Sequence, residues 1–186
     1  YGEAGPEKDT AGFDVTCYMA RGGVFGTTVE KDSNPMIPPN GYGDFQVAMC
    51  IASGICAALF NRQRTGTGEK VTVSLHHAAA FMLSTAVVSA QYGNAYPKSR
   101  FEVICPTNNV YRTKDNKLLA MCAPQYDRDY NKIMKLLGRD DLVDNPDYCN
   151  CDHLNELGKN REVVEILDKA IAGFTQKEIL KLFKDN

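Results

Sequence analysis

"GYGDFQVAMCIASGICAALFNRQRTGTGEKVTVSL", residues 41–75, holds the change of pattern on which the fold reading turns. From Phe45 to about Arg64 there is no proline, and Ala, Ile, Leu and Met fall on nearly every face. That pattern predicts a buried helix with polar residues 61–64 as its exposed last turn. The "TGTG" of residues 65–68 stops it. Val71, Val73 and Leu75 then alternate with Thr72 and Ser74, which predicts a short strand. Residues 76–92, "HHAAAFMLSTAVVSAQY", read as a second, mostly buried helix. Helix, strand and helix in succession suit an α/β domain.

Upstream, residues 1–12 are turn-rich, and "FDVTCYMA" (13–20) predicts a short helix closed by "RGG". Residues 26–43 carry Pro35, Pro38, Pro39, Gly41 and Gly43 and read as loop. Downstream, 93–109 has no clear period and is taken as a linker. "VYRTKDNKLLAMCA" (110–123) then predicts a hairpin about an Asp115–Asn116 turn. Helices are expected near 125–137, 152–172 and 175–184, the last opened by a Thr175–Glu178 capping box. The second half is thus a small α+β unit.

Composition narrows the function. The 186 residues are 44% hydrophobic, and 21 Lys and Arg balance 23 Asp and Glu, without a dense basic block. This argues against nucleic acid and anionic membrane as partners. The apolar runs read as too short or too broken for a membrane span. Seven scattered cysteines, an odd number, point to free thiols in a reducing, cytoplasmic compartment. The chain starts at Tyr1 in a turn and stops in a helical pattern, so it reads as a piece of a longer protein.

One carboxylate, Asp44, stands at the mouth of the apolar helix with no basic residue near it in sequence. If the helix begins at Phe45, Asp44 is its N-cap, worth about 1 kcal/mol. The same physics also suits a nucleophile. The partial positive charge of a helix N-terminus keeps a carboxylate ionised even in apolar surroundings. A poorly solvated carboxylate attacks acyl groups to form covalent intermediates. Gly41 and Gly43 leave room for a bulky group. The sequence leaves cap and nucleophile both open. Tyr42 and Phe13 are candidate walls of an acyl pocket, beside Gly43.

Other candidates are weaker. "YCNCDH" (148–153) sets Cys149, Cys151 and His153 at alternate positions without the second pair that a metal site needs. It reads as a loop into a helix capped by Asp152, and no metal site is expected. His76 and His77 sit at a predicted strand-to-helix junction, where one packing and one solvated ring are the simpler reading.

Four stretches in order, "YGEAGPEKDTAGFD", "ARGG", "GYGD" and "AALFNRQRTGTGEKVTVSL", resemble the family III (CaiB/BaiF-type) CoA-transferases. Arg62 to Leu75 is the most specific part, and "VYRTKDNKLLAMCA" and "LLGRDDLVDNPDY" look like the family's small domain. The resemblance implies an interlocked homodimer. Residues 1–92 would be the C-terminal portion of the first segment of a Rossmann-like large domain, 93–109 a linker, and 110–186 an incomplete small α+β domain. It implies an enzyme with no permanently bound cofactor, taking a coenzyme A thioester and a small carboxylic acid as substrates. The family's catalytic aspartate maps onto Asp44, which would form an acyl anhydride and then an aspartyl-CoA thioester. Related acyl-CoA racemases place a histidine where this chain has Phe13, so a racemase or epimerase would lack one of its two bases. "GFD", "ARGGV" and "VSAQYGNAYPKSR" look like the clostridial 2-hydroxyacid CoA-transferases, of the 2-hydroxyisocaproate and phenyllactate type, used in amino-acid fermentation. The alternatives are the racemase and a non-catalytic acyl-CoA-binding fragment.

Overall fold

The computed structural model describes residues 1–186 as two compact units, 1–98 and 99–186. The chain passes from one to the other inside the stretch read as a linker.

The first unit is helical. It opens with a π-helix, Asp14–Arg21, followed by α1 (Val24–Thr28), α2 (Tyr42–Thr65), α3 (Leu75–Met82) and α4 (Ser84–Gln91). The π-helix packs on α1, α2 and α3. Its core is small: Tyr18, Met19, Val24, Val47, Ala78 and Ala79.

Three sequence expectations are corrected here. The alternating segment 70–74 takes no regular secondary structure and pairs with no strand. It runs back along α2, where a Cβ on Gly54 would lie 2.6 Å from Val71, and where the Asn61 amide donates to Glu69 at 2.9 Å. A strand needs a neighbour to fill its N–H and C=O groups, and this unit offers none. The helix expected over 76–92 breaks at Leu83 into two short helices. Neither these nor α2 is mostly buried: Gly43 and Val47 alone are buried in α2, Ala78 and Ala79 in α3 and none in α4, and Phe45, Met49, Phe60, Phe81 and Val88 lie exposed. Apolarity on every face reports what a helix would bury given enough neighbours, not what it does bury. By length and composition α2 is also long and apolar enough to cross a membrane, against the expectation that the apolar runs are too short or too broken.

The second unit closes its own core. β1 (Asn108–Arg112) and β2 (Leu118–Cys122) pair antiparallel with Val110 opposite Ala120, as the hairpin reading expects. Tyr111, Leu119 and Met121 point inward, while Val110, Leu118 and Cys122 point out, the period of two expected of a half-buried hairpin. Against this face lie α5 (Tyr126–Leu136), α7 (Asn160–Ile171) and α8 (Gln176–Lys184). Tyr126, Tyr130, Ile133 and Met134 form the inner stripe of α5, and Val163, Val164, Leu167 and Ile171 that of α7. The helix expected over 152–172 is two, α6 (Cys151–Glu156) and α7, parted at Gly158, whose φ of 67° ends the first. The cap of α6 is Asn150, whose side chain accepts from the His153 N–H, rather than Asp152. The Thr175–Glu178 capping box is present.

The hairpin turn carries this unit's most perturbed carboxylate. The Thr113 hydroxyl and the Gln176 N–H hold Asp115 well below the usual carboxylate range. A lowered native pKa stabilises the fold in full above the unfolded value of about 4, and that contribution declines below it and is lost as the pH falls through the lower folded value. Asp115→Asn is therefore expected to lower the urea midpoint at neutral pH, by a margin that narrows steadily as the pH falls below about 4 and closes only once the folded carboxylate is itself protonated; a difference unchanged by pH would refute this account.

Candidate functional site

The first turn of α2 begins three residues earlier than a cap at Asp44 requires. Its N-cap is Gly41, in the left-handed region at φ 82°, and the first helical hydrogen bond runs from the Phe45 N–H to the Gly41 carbonyl at 2.9 Å. Asp44 is the third residue of the helix. Its carboxylate is exposed and makes no hydrogen bond or ion pair within the chain, so the N-cap reading is corrected. Gly41 tolerates the positive φ at no steric cost, and that shift of register frees the carboxylate.

The capping is done from a distance. Asp14, 9% exposed at the start of the π-helix, accepts the Gly43 N–H on its Oδ1 at 2.9 Å. One turn on, the Tyr18 hydroxyl donates to Gln46 Oε1 at 2.7 Å, and the Gln46 amide donates to the Tyr42 carbonyl. Burial, more than the neighbouring Tyr42, Cys50 and Asp14, raises the Tyr18 pKa, so the phenol stays a donor. Gly43 is where the two helices touch: a Cβ there would lie 2.3 Å from the Tyr18 ring and 2.5 Å from Asp14 Oδ1. The N–H groups of Tyr42 and Asp44 have no acceptor in the chain, leaving two donors and a positive helix end beside the free carboxylate.

Of the residues singled out from sequence, Tyr42, Gly43 and Asp44 lie on this one turn, and Phe13 precedes the residue that holds it. Phe13 is 67% exposed and Tyr42 52%. Tyr42 lines an apolar hollow of about 290 Å³ with Met19, Val24, Phe25, Pro35 and Met36, and Phe13 stands outside it. Asp14 was missed as a functional candidate; the sequence signal was an acid opening a short helix, which reads as a local first-turn charge and not as a tertiary cap. His76 and His77 stack on each other 6.2 Å apart.

The chain matches the profile of CoA-transferase family III over residues 1–186, and it belongs to that family. It is 41% identical over 191 residues to a cinnamoyl-CoA:phenyllactate CoA-transferase of Clostridium sporogenes, covering 100% of this chain and 45% of that protein. It is 36% identical over 185 residues to an (R)-2-hydroxy-4-methylpentanoate CoA-transferase of Clostridioides difficile, covering 100% and 46%. Its fold matches a hypothetical protein from Mycobacterium tuberculosis at a TM-score of 0.79 and 24% identity, over 100% of this chain and 48% of that one. The chain thus spans about half the length of the relatives it matches.

The close approach at Gly43 is testable by itself. Gly43→Ala is expected to cost about 1–3 kcal/mol, the range for overpacking a tight contact, read from urea unfolding. A variant as stable as the wild type would show that the two helices do not meet as described.

Proposed function

We propose that the protein containing this chain is a CoA-transferase that moves CoA from an acyl-CoA to a carboxylic acid, with a 2-hydroxy acid as one partner. The observation that carries the reading is Asp44: a carboxylate without a partner, on the first turn of a long helix, in a chain of this family. The names of the two clostridial relatives support the 2-hydroxy acid.

In this reading the Asp44 carboxylate attacks the thioester carbonyl, the C–S bond breaks, and CoA leaves as the thiolate. The product is a mixed anhydride on Asp44. The thiolate then attacks the aspartyl carbonyl, giving an aspartyl-CoA thioester and the free donor acid. The acceptor carboxylate attacks that thioester to form a second anhydride, and the thiolate takes the acceptor acyl group, regenerating Asp44. No base is needed, because a carboxylate is already ionised at neutral pH. The unfilled N–H groups of Tyr42 and Asp44 are suited to the negative charge that builds on the thioester oxygen. The hollow beside Tyr42 suits the acyl side chain, with Gly43 and Phe13 flanking.

The remaining expectations stand on the same footing. Coenzyme A is a substrate, not a resident cofactor. The bare apolar faces of α2, α3 and α4 suit an interlocked homodimer in which the first unit is part of a Rossmann-like large domain and the second a small domain. A cytoplasmic enzyme working without membrane or nucleic acid fits the near-balanced charge.

The test is trapping. The full-length protein is incubated with candidate acyl-CoAs and quenched with hydroxylamine, and the peptide spanning Asp44 is read by mass spectrometry. A hydroxamate on Asp44 is expected, and Asp44→Ala should abolish it and lower turnover by several orders of magnitude, as removal of a nucleophile does. An unmodified Asp44 in protein that binds acyl-CoA would reject the mechanism. Exchange of the carbon-2 hydrogen with deuterated water would instead favour the racemase, and binding without either reaction would favour a binding module.

A further inference from the structure

We infer that Asp14 is a positioning residue: by accepting the Gly43 N–H it fixes the first turn of α2 and so sets where the Asp44 carboxylate stands. The inference rests on the nucleophile reading of Asp44 for its consequence, but not for the anchor itself.

A carboxylate that is nine-tenths buried gives up most of its hydration and costs free energy unless it is compensated. No cation lies within ion-pair distance of Asp14. Its compensation is backbone. It opens the π-helix, where the N-terminal partial charge is positive, and it accepts from the second residue of α2. Two helix N-termini therefore converge on one carboxylate.

The placement matters as much as the strength. α2 is held to the π-helix at Gly43 by Asp14 and at Gln46 by Tyr18. Asp44 lies between these two points in sequence and its carboxylate hydrogen-bonds to neither. Because Gly43 has no side chain, Asp14 reaches the backbone directly. The first turn of a helix is where fraying is easiest, since its N–H groups have no helical acceptor. Take away the acceptor at Asp14 and, of the two hydrogen bonds that tie α2 to the π-helix, only the one a turn on, from Tyr18 to Gln46, remains. A misplacement of about 1 Å costs on the order of a hundredfold in a reaction that depends on alignment. Asp14 needs only an acceptor oxygen for this role, so an amide should serve.

The experiment compares Asp14→Ala and Asp14→Asn in the full-length protein, at a temperature where circular dichroism shows each folded. Two readouts are taken. One is the rate of hydroxylamine-trapped labelling at Asp44 against acyl-CoA concentration; the other is hydrogen exchange on peptides covering residues 41–45. In Asp14→Ala the saturating rate should fall by about tenfold to a hundredfold with little change in half-saturating concentration, and exchange should quicken. Asp14→Asn should restore both. Wild-type labelling in Asp14→Ala would overturn the inference, and so would equal loss in both variants, which would assign the effect to charge. If Asp14→Ala does not fold, Asp14→Asn decides alone, since the inference requires it to label near the wild-type rate. If the wild type itself never labels at Asp44, the nucleophile reading fails, and the exchange readout still decides whether Asp14 anchors the turn.

Discussion

The site depends on one hydrogen bond and one missing methyl group. The Gly43 N–H reaches Asp14 because nothing projects from Gly43. Any side chain there would drive the Tyr18 ring and the Asp14 carboxylate away. The approach joins two motifs 29 residues apart, "GFD" and "GYGD", into one corner. It also decides the fate of the second carboxylate. With Asp14 serving the helix end and Gly41 opening the helix, Asp44 is released from capping and left free.

The two units solve the burial problem differently. The second unit is closed. A hairpin with inward Tyr111, Leu119 and Met121 covers the apolar stripes of α5, α7 and α8, and the resulting core runs through the whole unit. The Arg100 guanidinium grips Asp168 with two 2.8 Å bonds and donates to the Val110 carbonyl, tying the start of the unit to its sheet and to α7. The first unit has a handful of buried residues around the π-helix and a long apolar helix with most faces bare. Its order is local and polar where the site lies, at Asp14, Tyr18 and Gln46, and apolar where it is exposed.

That contrast bears on chemistry. Under the nucleophile reading proposed for Asp44, the carboxylate needs no neighbouring base and so little machinery from its own chain: a fixed position and a favourable potential. The first turn of α2 supplies both, through its tether to the π-helix and through unfilled N–H groups next to Asp44.

The sequence by itself determined the periodic elements and the isolation of Asp44. The hairpin, helices at α5, α7 and α8 and the Thr175–Glu178 box follow from local spacing, and spacing is a property of the chain alone. Ordered motifs pointed to the family as well. Only the tertiary structure decided which helices are covered, since an apolar run states an appetite for burial and not its satisfaction. It decided that residues 70–74 pair with nothing, because a strand is completed by its neighbour. It also decided which aspartate caps α2. Sequence proximity favoured Asp44, but the hydrogen bond went to Asp14. A helix N–H takes whichever acceptor the packing brings within reach, and that acceptor came from another helix.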